Sequence, residues 1–262
     1  MQRFGVILIA VVLCGSMSFG RAQTPTSAPS SDGGEPAIRA GGIVAFGDST
    51  TAFRPGAIQQ VYSVRLQAAL KGADCELPVH NAGRGGNTTR DAKARFERDV
   101  LARRPAIIII QFGINDSAVD VWRTPPATKP RVAIDQYEAN LRWMIAAARE
   151  QDAAVILMTT NPLRWTPRLK EVYGRPPYEP DSDTGFDAPL LAKYNDVIRR
   201  VAKENQVELV DIRAAMFRHA SRPGQSLDAL LLDGMHPNDD AHALIAEQLA
   251  PVVLKLHRAR AE

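Results

Sequence analysis

Short apolar runs alternate with longer stretches whose apolar residues recur every three or four positions, and the alternation repeats five times between residues 42 and 256. The runs at 42–46, 77–81, 106–110, 153–159 and 207–211 read as strands. The clearest is Ala106-Ile107-Ile108-Ile109-Ile110, opened by Pro105. A β-branched run with no polar alternation suits a strand buried on both faces of a parallel sheet. The intervening stretches at 56–71, 88–103, 134–150, 190–204 and 239–256 read as helices; 134–150 places Leu141, Met144, Ile145 and Ala148 on one face. Strand–helix alternation of this kind predicts right-handed crossovers and an α/β fold, a five-stranded parallel sheet covered by helices on both sides. In such sheets ligands bind beyond the carboxyl ends of the strands. Chemistry is therefore expected just after the first three strands and in the loop before the last helix.

The ends of the chain read differently. Arg3 followed by the apolar stretch 4–13 and by Gly20-Arg21-Ala22 has the form of a secretory signal over residues 1–22. That stretch is too short for a comfortable membrane span. Residues 23–40, rich in Thr, Pro, Ser and Gly, bury too little to offset their ordering entropy and read as a flexible linker. The folded domain is expected over 41–258. Of the formal charge of +3, about +1 remains once Arg3 and Arg21 leave with the leader, so no electrostatic grip on nucleic acid is expected. Cleavage also removes Cys14. Cys75 is then alone, unable to form an internal disulfide, and is expected as a small buried hydrophobe.

Four stretches stand where the topology places chemistry: Gly47-Asp48-Ser49-Thr50, residues 81–88 (Asn-Ala-Gly-Arg-Gly-Gly-Asn-Thr), Gly113-Ile114-Asn115-Asp116, and Asp233-Gly234-Met235-His236-Pro237. Acyl transfer needs an activated hydroxyl, a base for its proton, a group that orients the base, and donors for the oxyanion. Ser49 at a turn after a strand can present its hydroxyl, His236 is the natural base, and Asp233, three residues earlier, can hold the imidazole. Glycines 83, 85 and 86 let backbone amides approach a ligand closely. The N–H groups of Ser49 and Gly86 with the Asn115 amide then make an oxyanion hole. Asp48 and Asp116 read as turn-capping residues, and His80, His219, His242 and His257 lack any motif. No metal-ligand spacing is present, so neither a metal nor another cofactor is expected. The absence of a Gly-x-Ser-x-Gly elbow disfavours the α/β-hydrolase fold.

Together these stretches resemble the four blocks of the SGNH (GDSL-like) hydrolase superfamily, in the same order and across essentially the whole domain. The resemblance implies a three-layer α/β/α sandwich of flavodoxin-like type, with Ser49, Gly86, Asn115 and His236 in the four named positions and Asp233 in the Asp-x-x-His pair. Gly83 competes with Gly86, and the Gly-x-Thr spacing through Thr88 favours Gly86. Thr50 stands where many lipase-like members have leucine and is similar to the rhamnogalacturonan acetylesterase branch.

Two long segments, 117–131 and 162–186, interrupt the alternation on the active side, and loops of this length are often functional. They carry Trp122, Trp165, Tyr173 and Tyr178 with Arg123, Arg164, Arg168 and Arg175. Aromatic faces stack on sugar rings and arginines bind hydroxyls or carboxylates; Trp122, Trp165 and Arg164 are the expected substrate contacts. The expected function is an exported, periplasmic or secreted serine carboxylic-ester hydrolase, a carbohydrate O-acetylesterase with a small-molecule or polysaccharide ester as its partner and no stable membrane insertion after cleavage. A lysophospholipase or thioesterase of the same fold, an acyltransferase using the same residues, or a non-catalytic glycan-binding domain are the competing readings, as is a purely structural use of the loop aromatics.

Overall fold

The computed structural model describes residues 41–180, 186–187 and 190–260, all within the compact unit Ile38–Glu262. The expected leader and linker lie outside the described residues. Five strands, β1 (Ile43–Gly47), β2 (Val79–Gly83), β3 (Ile107–Gln111), β4 (Ala154–Met158) and β5 (Glu208–Val210), form one sheet. Their order is β2-β1-β3-β4-β5, and every pairing is parallel. The expected α/β/α sandwich is what the chain forms.

The isoleucine run explains the layers. Ile108 and Ile110 face one apolar layer with Phe46, Phe96, Leu141, Met144 and Ile198, whereas Ile107 and Ile109 face the other with Leu66, Leu70, Met216, Ile245 and Leu249. The first layer is closed by α2 (Thr89–Asp99), α4 (Ile134–Arg149) and α6 (Leu190–Glu204), the second by α1 (Tyr62–Lys71), α7 (Ile212–Ala220) and α8 (Asp239–Ala259). All four isoleucines are buried, each stabilising the fold by about 1.5–3 kcal/mol relative to exposure. Cys75 is buried and free. Among the described residues no helix is long and apolar enough to cross a membrane.

The expected elements are all present, with three kinds of difference. The first helix starts at Tyr62 instead of residue 56, because Gly56 adopts φ +82°, which no α-helix accommodates. The second ends at Asp99, followed by a single 3₁₀ turn, Leu101–Arg103, that Arg104 terminates in the left-handed region. Three short helices carry no periodic signal of sufficient length: α3 (Ile114–Ser117), α5 (Pro167–Tyr173) and α7. The strand read at 77–81 pairs at 79–83; it lies at the sheet edge, half-buried, so the apolar run says little about its bounds.

One buried cation ties the helical layer to the active end of the sheet. Arg95 on α2 donates to the carbonyls of Gly47 (3.0 Å) and Ala82 (2.8 Å) and to the Asn87 amide oxygen (2.7 Å), and pairs with Asp99. Burial lowers its pKa, opposed by Asp99. The carboxyl ends of β1 and β2, where the first two motifs begin, are thus clamped from one side chain.

Candidate active site

Beyond β1 the chain turns on Asp48, whose carbonyl accepts from the N–H groups of Thr51 and Ala52 (3.2 and 3.1 Å) and whose carboxylate accepts from the Thr50 N–H (2.9 Å). Burial raises the Asp48 pKa, against the bonds from Thr50. Thr50 is itself buried, its hydroxyl placed between Asp48 and the Gln111 side-chain oxygen. A leucine there would lose this buried hydroxyl and its bonds toward both groups. The turn holds Ser49 at its top, with the Ser49 Oγ 3.0 Å from Nε2 of His236.

His236 is set by its own loop. Its Nδ1 lies 2.7 Å from the Asp233 carboxylate, which also accepts the N–H groups of Met235 and His236 (3.0 and 2.8 Å). Half-burial would raise the Asp233 pKa, but these bonds from the His236 ring and the backbone outweigh it and hold the carboxyl well below its ordinary value. An ionised carboxylate only accepts, so Nδ1 carries the proton and Nε2 faces Ser49 as an acceptor. The loop is pinned from several sides: the Met235 carbonyl accepts from the Asn161 amide (2.9 Å), the Gly234 carbonyl from the Arg164 N–H (2.7 Å), and Asn238 caps α8 while bonding the Ala229 carbonyl. Gly234 sits at φ +83°, and a Cβ there would lie 2.5 Å from the Arg164 carbonyl oxygen.

The glycine loop divides its tasks. A Cβ on Gly83 would stand 2.3 Å from the Ala52 nitrogen, so this glycine allows β2 to pack against the Ser49 turn. Gly86 is exposed at φ +76° with open space around it, and Gly85 lies against Ser49. Among the described residues neither the Ser49 nor the Gly86 N–H has an acceptor. Gly83→Ala is expected to destabilise the fold by about 2 kcal/mol or more, read as a lowered Tm.

Asn115 stands on α3, its Nδ2 3.1 Å from the Asn87 carbonyl and 3.4 Å from the Asp48 carboxylate. Its Oδ1 accepts from the Arg131 guanidinium at 3.0 Å. A guanidinium has no acceptor atom, so the amide cannot flip, and Nδ2 is the group turned toward Asn87 and Asp48. Arg131 is in turn bonded through Nε and Nη2 to the buried Asp120 (3.0 and 2.7 Å). Burial lowers the Arg131 pKa, but Asp120 outweighs it and the pKa is raised. Arg131 and Asp120 had no signal in the sequence: the contact to Asn115 spans sixteen residues of irregular loop.

Asp116 behaves as a structural residue, accepting from the Thr89 N–H (2.8 Å) and hydroxyl (2.5 Å), while its second oxygen is buried without a partner. Burial, against the Thr89 bonds, pushes its pKa up to about 7. Because the folded state then holds the proton more tightly than the unfolded one, its contribution is largest below the ordinary carboxylate pKa and falls as pH rises toward 7. Asp116→Asn keeps the Thr89 acceptor and removes the charge. Its Tm relative to wild type is expected to rise between pH 4.5 and pH 8, measured by thermal melts at both.

The three expected substrate contacts are not brought together. Trp122 is 49% exposed, on the loop that carries Asp120 and Arg131. The Trp165 ring packs instead against Phe186 (4.6 Å between centroids) and Tyr178, its Nε1 buried without a partner. Arg164 pairs with Asp228 at 3.0 Å. Beside Asn115 a pocket with about 40 Å³ open to water-sized groups is walled by Ala118, Arg131, Leu163, Tyr173, Phe186 and Met235. Arg131 also borders an open groove of about 450 Å³ that reaches Gly86. Among the described residues no cluster of three or more His, Cys, Asp or Glu is placed to hold a metal.

Residues 45–244 match the GDSL-like lipase/acylhydrolase family. The chain belongs to this family, the SGNH hydrolases, as its four motifs implied, and it is a carboxylic ester hydrolase. It is 31% identical over 209 residues to an acetylxylan esterase of Geobacillus stearothermophilus, covering 79% of this chain and 81% of that one. It is 34% identical over 176 residues to the Bacillus subtilis lipoprotein YqeF, covering 64% and 69%. Among solved structures it is similar to Axe2, an acetylxylan esterase from Geobacillus stearothermophilus, with TM-score 0.60 and 26% identity over 82% of this chain and 95% of that one. The hydrolase LAE5, from the metagenome of Lake Arreo in Spain, aligns with TM-score 0.62 and 28% identity over 84% and 99%.

Proposed function

We propose that this chain is an exported carbohydrate O-acetylesterase working through an acyl-Ser49 intermediate. Ser49 Oγ attacks the ester carbonyl carbon as His236 Nε2 takes its proton, and the carbonyl electron pair becomes an oxyanion held by the Ser49 and Gly86 N–H groups and the Asn115 amide. Collapse expels the alcohol, which takes the proton from His236. Water, deprotonated by the same imidazole, then attacks the acyl-serine, and acetate leaves as Ser49 recovers its proton. Asp233 stabilises the imidazolium throughout.

The observation that carries the acetyl assignment is the pocket beside Asn115. It is narrow, with about 40 Å³ open to water-sized groups, which suits a short acyl group better than a long chain. The similarity to an acetylxylan esterase supports both the acyl group and a sugar as acceptor. The signal-like residues 1–22 and the lipoprotein among the relatives support export.

One feature favours a second reading, a lysophospholipase or thioesterase. On the other side of the His236 loop, Thr166, Pro167, Leu169 and Met235 line a mostly apolar depression of about 430 Å³ that reaches Asp233, where a longer acyl chain has room. Hydrolysis of p-nitrophenyl acetate beside the octanoate ester, by the full chain and its Ser49→Ala variant, separates the two. The proposal expects acetate to be preferred, with activity lost in the variant, followed by acetate release from acetylated xylo-oligosaccharides. Faster octanoate turnover would replace the acetylesterase with the lipid or thioester reading.

A further inference from the structure

We infer that the groove beside Gly86 is a subsite for an acidic sugar, so that the preferred substrate is an acetylated glycan carrying a negative charge close to its ester. The inference rests on the acetylesterase reading above and extends it to the leaving-group side. The small pocket and the groove share Arg131 as a wall, and each includes one of the oxyanion donors, Asn115 in the pocket and Gly86 in the groove. If the acyl group fills the small pocket, the sugar that leaves is directed to the larger groove.

The groove is electropositive in a specific way. It is lined by Arg90, Arg123, Lys129 and Arg131 against Asp91 and Asp120. Both carboxylates are already engaged: Asp91 accepts from the N–H and hydroxyl of Thr88 (2.9 and 2.7 Å) at the start of α2, and Asp120 pairs with Arg123 and Arg131 at 2.7 Å each. Arg90, among the described residues, bonds the Arg131 carbonyl, at 3.3 Å. Among the described residues neither Arg90 nor Lys129 makes a direct ion pair with a carboxylate, though the Arg90 charge helps hold the neighbouring Asp91 ionised against its burial. Two exposed cations therefore line the groove without a direct carboxylate contact, and both are open to a ligand. An open groove with two such cations, next to the paired Arg123 and Arg131, matches a sugar bearing a carboxylate or a sulfate.

The test compares acetate release by the full chain from acetylated glucuronoxylan oligosaccharides and from the same material with its carboxyl groups reduced to alcohols. The acidic substrate is expected to have about tenfold higher kcat/KM at low salt, shrinking toward parity at about 0.5 M NaCl as the charges are screened. Arg90→Gln/Lys129→Gln should bring the ratio within about twofold of one, while Arg258→Gln, which removes a cation at the end of α8, should leave it unchanged. An acetylated sulfated glycan and its desulfated form make the second pair, distinguishing sulfate from carboxylate. Equal rates within both pairs would overturn the subsite and leave the carbohydrate esterase standing. Hydrolysis of p-nitrophenyl acetate with no acetate released from any glycan would overturn both.

Discussion

Ser49→Ala is expected to lower kcat on p-nitrophenyl acetate by about 10⁴-fold or more, and to leave the fold intact. The size follows from the part removed: without the hydroxyl no acyl-enzyme forms, and residual turnover comes only from oxyanion donors and binding. Neighbouring hydroxyls cannot substitute. Thr50 and Thr51 are buried, the first bonded toward Asp48 and Gln111 and the second to the Tyr62 hydroxyl, so neither is presented to His236. The structural cost is small, since the Ser49 side chain makes one hydrogen bond, to His236, worth about 1 kcal/mol. Thermal melts and kinetics on the same preparations check both halves. His236→Ala should fall equally far, and the double variant no further, because the two residues act as one unit. A variant that kept most of its activity would place the nucleophile elsewhere.

The sequence and the structure agree most where the physics is local or periodic. Four consecutive isoleucines after Pro105 can only be satisfied between two apolar layers, and the two layers alternate along them as the pattern required. The motif residues Ser49, Asp233 and His236 stood out because acyl transfer demands those types, the first just after a strand and the other two in the loop before the last helix, and the fold brings their side chains together. The illegible parts are those decided by tertiary contact. Whether Gly83 or Gly86 opens toward the site depends on how close the Ala52 backbone comes, a distance absent from any local pattern. Trp122 and Trp165 have similar loop surroundings in sequence, yet one is exposed while the other packs on Phe186. A composition argument cannot separate an aromatic that waits for a ligand from one that pins its own loop.

The same limit hid Arg131, which yields the second large effect. Asn115→Ala should cost about 10²–10³-fold in kcat, the range for removing one oxyanion donor. Arg131→Met should cost about tenfold or more, although it leaves the Asn115 side chain in place. Arg131 fixes the amide by donating to its oxygen (3.0 Å) and, as a cation, draws electron density toward that oxygen, making the Nδ2 hydrogens better donors. Without it the amide is free to present its oxygen to the developing negative charge. The decisive readout is the double-mutant cycle: in an Asn115→Ala background the Arg131→Met loss should shrink to about twofold or less, because the group it positions is gone. Arg131→Lys should recover part of kcat, since an ammonium can reach one of the two partners but not hold both in the planar fork. Some stability is lost as well, because among the described residues the buried Asp120 then keeps Arg123, at 2.7 Å, as its remaining cation, so the kinetics belong well below the Tm of the variants. Equal losses from Arg131→Met in both backgrounds would mean that Arg131 acts on substrate directly, as a wall of the acyl pocket and groove, and not through Asn115.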